Sequence, residues 1–249
     1  MPNPIEVLFD PISLALFGLY AALMLYEALA PARKLPRMPY WHGRMLLAFL
    51  AYFYISTYLP LLWGATLASW QWLDLTVLGT WGGAGIGLFI YQGAAYVWHR
   101  SMHETPMLWR VFHQMHHSVE RLDSYSAFWF SPADMLGWTL LSSLCLTTMV
   151  GLTTEAATIV LLFSTFIAIF SHSNIRTPQW LGYLVQRPES HSRHHARDVH
   201  AGNYADLPVF DMLFGTFHNP RGFATAAGFY DGASLRVMDM LRARDITQP

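Results

Sequence analysis

LTVLGTWGGAGIGLFIYQGAAYVWHRSMHE, residues Leu75–Glu104, decides how this chain must be read. From Leu75 to Trp98 the stretch carries no charged residue. As a helix it is long enough to cross a hydrocarbon layer, which takes about 20 residues. It then runs straight into His99 and His103, whose spacing of four puts both rings on one helical face. A span of lipid-compatible residues that ends in paired imidazoles predicts a transmembrane helix delivering metal-binding groups to one membrane surface.

Composition agrees with that solvent. Of the 249 residues, 53% are hydrophobic and 12% charged, about half the charge of an ordinary soluble domain. The formal net charge of -1 leaves no basic surface for nucleic acid, so nucleic-acid partners are set aside. The single cysteine, Cys145, excludes intrachain disulfides and cysteine-held metal clusters and is read as packing. The N-terminal segment lacks the positive region of a secretory signal, and the first apolar run is expected to be a retained helix.

Working outward, spanning helices are expected at about 11–30, 45–65 and 75–98, with Pro60 kinking the second. Two shorter runs, about Met135 to Val150 and Ala156 to Phe170, are separated only by GLTTE and predict a helical hairpin over 135–170. Ser131, Pro132 and Asp134 suit its first turn: a cap, a proline at the first helical position and an acid at the positive end of the dipole. The GGAGIG run at Gly82 to Gly87 has no preceding strand and is read as a close helix-packing surface. The fold class is thus all-α, a membrane bundle of three spanning helices plus a hairpin, in a single domain over 1–249.

Charge sets the topology, because cytoplasmic loops collect Lys and Arg. Arg33, Lys34, Arg37 and Arg44 fill the first loop, whereas the second loop, the hairpin tip and the N-terminal segment have none. With the first loop cytoplasmic, every Lys and Arg falls on that side, as do residues 99–131 and 171–249. Those two segments form the expected cytoplasmic cap, which includes the C-terminus.

The same cap segments hold the histidines. FHQMHHS places His113, His116 and His117 at i, i+3 and i+4, and SHSRHHARD repeats the spacing with His191, His194 and His195. His172 sits where the hairpin re-enters the cytoplasm. Neutral imidazole is a common ligand for borderline metals. One tetrahedral zinc needs four ligands, so a surplus of clustered rings is better explained by two ions. His42, His200 and His218 are read as packing or surface residues.

These histidine segments, with NYADLPVFDMLFGTF from Asn203 to Phe217, resemble the fatty acid hydroxylase and sterol desaturase superfamily over roughly residues 80 to 220. The resemblance implies a two-iron centre that uses O2 to hydroxylate or desaturate a lipid taken from the bilayer. Its ligands would be His99, His103, His113, His116, His117, His172, His191, His194 and His195. Ligand type alone permits zinc as well as iron.

Metal-bound imidazoles need partners on their second nitrogen; of the polar residues nearby, Asp198 and Asn203 are the preferred candidates. Tyr91, Tyr96, Trp98, Phe128, Trp129 and Phe130 are candidates for a substrate tunnel. No flavin, nicotinamide or haem motif is present, so a separate electron donor is expected, and the family resemblance implies a ferredoxin or a cytochrome with its reductase. Arg187, Arg193 and Arg197 could steer it. The compact chain, without a retention signal, is expected in a bacterial inner membrane. The competing readings are a zinc-dependent membrane hydrolase, against which stands the absence of HExxH, and a non-enzymatic membrane protein that binds metal or haem.

Overall fold

A computed structural model describes residues 1–249. Helices follow one another as α1 (Pro4–Phe9), α2 (Pro11–Leu29), α3 (Trp41–Ala68), α4 (Gly79–Glu104), α5 (Pro106–Leu108), α6 (Gln114–His117), α7 (Pro132–Ser143), α8 (Thr154–His172), α9 (Pro188–His194), α10 (Val209–Leu213) and α11 (Val237–Leu241). There is no strand, only an isolated antiparallel bridge between Ala196 and Ala227. The molecule is an all-α membrane bundle carrying a histidine-rich cap.

Helix starts follow local chemistry. The Asp10 carboxylate accepts from the Ile12 N–H (2.9 Å), with Pro11 at the first helical position of α2. Ser131 Oγ accepts from the Asp134 N–H (3.1 Å) and Pro132 opens α7, as the sequence predicts. Thr153 caps α8 through the Ala156 N–H. Each cap satisfies an amide that the helix itself leaves free.

Three helices are long and apolar enough to cross a membrane: α2, α3 and α8. The sequence places the third span at 75–98 instead. There the helix starts later, at Gly79, and runs unbroken through both histidines to Glu104. Its 26 residues suffice in length, but glycines and polar groups such as Gln92 dilute its apolar character. The return arm of the hairpin, α8, is correspondingly stronger than the sequence suggests. Side chains such as Leu25, Leu47 and Leu62 point away from the protein, as a lipid solvent requires.

Helix α4 packs along α8 through its small residues. A Cβ on Gly83 would stand 3.4 Å from Ala156 Cβ of α8, and one on Gly87 would stand 2.5 Å from Leu152 Cδ1 in the hairpin tip, so glycine lets the hairpin close on α4 without displacing that side chain. The loop at 72–75 is anchored to the hairpin tip by backbone bonds from Trp72, Leu73 and Leu75 to the carbonyls of Thr148, Met149 and Val150. A second core, with Trp41, Met45, Met115, Leu122, Phe229, Met240 and Ile246, ties the C-terminal segment to α6 and the start of α3. The cap is thereby fixed to one end of the helical bundle.

Candidate metal centre

Four helical segments bring the histidines together. His99 and His103 occupy the last turns of α4, and His172 ends α8. His191 and His194 lie on α9, with His195 immediately after it. His113 sits in a widened π turn, Trp109–His113, between α5 and α6. The regular i, i+3, i+4 helix expected there is therefore interrupted, and such turns often re-aim a side chain at a functional site.

All nine sequence-predicted rings converge in two adjacent groups. His99, His103, His113, His117 and His194 form one, and His116, His172, His191 and His195 the other; within each group the candidate ligand atoms lie within 4.8 Å of one another. The groups touch where His117 and His195 stack, with ring centroids 4.1 Å apart. His99 Nε2 is 2.9 Å from His113 Nε2. In the second group Nε2 contacts of 3.1 Å join His116 to His172, His172 to His191 and His191 to His195. Metal–nitrogen bonds of about 2.0–2.1 Å give polyhedron edges of roughly 2.9–3.4 Å. The contacts observed fall within that range.

In the first group every ring is held from behind. Nδ1–H of His99 donates to the Tyr204 carbonyl (2.7 Å), that of His103 to the His200 carbonyl (2.8 Å) and that of His194 to the Gly202 carbonyl (2.7 Å). His113 Nδ1 meets Asp134 Oδ2 at 2.9 Å, with both side chains fully buried. These bonds leave each Nε2 pointing inward. Those of His103, His117 and His194 are buried without a partner. An unpaired buried polar atom costs about 1–3 kcal/mol, and a bound ion would satisfy all of them.

Electrostatics favours the ligating form. Burial first, and then repulsion between neighbouring rings, holds His113, His116, His117, His191, His194 and His195 well below the ordinary imidazole range. The rings are neutral at neutral pH, as metal binding requires. The donor set, all imidazole and buried except for the half-buried His103, fits borderline divalent ions.

The backbone that supplies these carbonyls is strained. Asp198, His200 and Asn203 have φ of 65°, 40° and 57°, and Gly202 has φ of 77°. Left-handed conformations at non-glycine residues cost of order 1–3 kcal/mol each and persist where the surroundings impose them. Here they accompany a segment that turns alternate carbonyls, of His200, Gly202 and Tyr204, toward the histidines.

The preferred partners Asp198 and Asn203 need correction. Asp198 is exposed, and Asn203 Nδ2 donates to the Ser190 and His218 carbonyls rather than meeting a histidine of the cluster. Two other residues take the expected role. Asp134 is one, read from sequence only as a helix-start acid. His200 is the other, with Nδ1 3.0 Å from His117 Nδ1 and its ring packed against Trp109 and Phe229. Arg187 is no steering group either, since it is buried and pairs with Glu189 (3.4 Å).

A cavity of about 470 Å³ opens from the histidines into the bundle. His99, His113, His116, His172 and His191 face it, so both groups are reached, and its far end lies by Asp10 and Ile12. Tyr91, Phe128 and Phe130 line it as the sequence suggests. Tyr96 stacks instead on Phe214, Trp98 packs on Phe112, and Trp129 lies under Arg44.

A family model described as fatty acid hydroxylase matches residues 84–216, more than half of the chain, from α4 to the segment that follows α10. The chain belongs to the fatty acid hydroxylase family. All nine clustered histidines of this family member lie inside the matched region. It is 34% identical over 140 residues to the ornithine lipid hydroxylase OlsE of Rhizobium tropici, an alignment covering 54% of this chain and 41% of that protein. The chain thus matches about two fifths of that relative's length. No solved structure matches the chain significantly.

Proposed function

We propose that this chain is a membrane-bound nonhaem di-iron oxygenase that hydroxylates or desaturates a lipid, with O2 as co-substrate and electrons from a separate donor. One observation carries the proposal: nine imidazoles, eight of them buried and His103 half-buried, form two groups at one end of a cavity that runs between apolar helices. Membership of the fatty acid hydroxylase family and likeness to a protein named for lipid hydroxylation support it.

Hydroxylation converts C–H and O2 to C–OH and water, consuming two electrons and two protons. The two irons, when bound, supply the oxidising power that no side chain has. His99, His103, His113, His117 and His194 would hold one ion and His116, His172, His191 and His195 the other. The carbonyls of His200, Gly202 and Tyr204 keep their rings turned inward, and Asp134 raises the basicity of His113. The cavity walls orient the lipid and keep bulk water from the rings. The bundle and cap act as one domain, with the cap on the cytoplasmic side of a bacterial inner membrane, where a ferredoxin or a cytochrome with its reductase can reach it.

The test is turnover in vesicles made from bacterial lipids, with reductant and isotopically heavy O2. A lipid product carrying one heavy oxygen supports hydroxylation, and a product that has lost two hydrogens supports desaturation. Neither product from iron-loaded, reduced protein would overturn the proposal.

A further inference from the structure

A carboxylate stands in the cavity wall away from the rings of the metal centre. Asp206 follows Tyr204 in the chain and lines the cavity with Gln92 and Ser164. The Gln92 amide donates to Asp206 Oδ2 (2.8 Å) and to Ser164 Oγ (3.1 Å), and its oxygen accepts from the Asp206 N–H (3.0 Å). Gln92 is fully buried, and these bonds use both halves of its amide. They engage only one oxygen of Asp206; Oδ1 makes no hydrogen bond within the chain.

The clamp between α4 and this segment does not need a charge. A neutral amide at 206 could accept the same bond from Gln92, so the negative charge is surplus to structure. Holding a half-buried carboxylate with no cation beside it is costly. Yet no Lys or Arg lines the cavity, and its only other acid, Asp10, lies at the opposite end. Apart from the histidines, the remaining titratable groups on the wall are Tyr52, Tyr91 and Tyr204. A free fatty acid would bring a second carboxylate to a wall with no cation to receive it.

We propose that Asp206 receives a protonated amino group of the substrate, so that the lipid acted upon is amine-bearing. This rests on the lipid-oxygenase reading above and names its substrate class. Gln92, which fixes the carboxylate, lies two helical turns from His99, roughly 10 Å along α4. The amine and the carbon to be oxidised are then separate parts of one lipid.

The test is equilibrium binding of hexadecylamine, hexadecanol and hexadecanoic acid to the metal-loaded, unreduced full chain in detergent. The amine should bind at least about tenfold more tightly than either of the others, equivalent to about 1.4 kcal/mol. Asp206→Asn should abolish that preference while leaving hexadecanol binding unchanged. Ser164→Ala, which retains the carboxylate, should keep it. Equal affinity for all three lipids, alcohol binding as tight as the amine, or an amine preference surviving in Asp206→Asn would each overturn the proposal. The comparison among lipids needs no variant, so misfolding of a variant does not blunt it. Binding requires no turnover, so this result and the heavy-oxygen result can fail independently.

Discussion

The five-histidine and four-histidine groups lie side by side yet are held differently. In the first, every Nδ1 has a partner: three strained-loop carbonyls, the Asp134 carboxylate and the His200 ring. In the second, only His172 is held this way, through the Ala168 carbonyl of its own helix (2.7 Å), while Nδ1 of His116, His191 and His195 is buried and unpaired. One site is oriented by hydrogen bonds from behind, and the other by where α6, α8 and α9 place their side chains. Changes outside the rings should therefore damage the first site and spare the second.

Removing a ring should do most harm and should not respect the distinction. His194→Ala from the first group and His116→Ala from the second are each expected to lower turnover more than about 100-fold, beyond the range seen for supporting residues. Metal analysis should show a loss in both, with membrane insertion intact. Equal activity to the parent protein would remove the ligand assignment.

Asp134→Asn sharpens the comparison. It keeps the side-chain shape but removes the charge facing His113, and metal affinity or turnover should fall about 10–100-fold. A metal titration should show only one of two sites weakened. Weakening of both would mean that the groups are not independently supported.

Gly202→Ala acts through the loop. The added Cβ would stand 2.8 Å from His218 Cδ2 and from the Thr216 carbonyl, at a φ of 77° that alanine resists. Stability should drop by about 1–3 kcal/mol, read by thermal unfolding, with occupancy lost first from the five-histidine group. An unchanged melting curve would show that the loop is not under the constraint described.

Acid should give the smallest and broadest effect. Burial depresses the imidazoles, with His200 pushed down to about 4, against roughly 6.5 in an unfolded chain. A depressed folded value means that stability is intact above about 6.5 and is lost as pH falls toward 4. Metal-free protein should follow this course in thermal unfolding across that window. Flat stability would show that the rings are hydrated rather than buried.

Much of this arrangement is legible in sequence because it is local. The spacing of His99 to His103 and the doubled HxxHH segments are periodicities, and Ser131 with Pro132 is a cap signal within three residues of Asp134. What escapes is long-range or conformational. Asp134 lies 21 residues from His113, and nothing in its surroundings distinguishes a helix-start acid from a histidine partner. The left-handed backbone at Asp198, His200 and Asn203 is imposed by the fold, so the carbonyls that orient the rings leave no sequence mark. The same holds for His200, one ring outside both boxes. In α4, packing glycines lower the apolar content of a helix that is still long enough to span, and the apolar signal passes to α8.

The most direct test of the central claim is metal content per chain in anaerobically purified, detergent-solubilised protein, measured together with its optical spectrum. Two groups of neutral imidazoles predict about two metal ions per chain, and the proposed function predicts that these are iron, with no haem band. A single zinc, a Soret band, or active protein without metal would contradict the account.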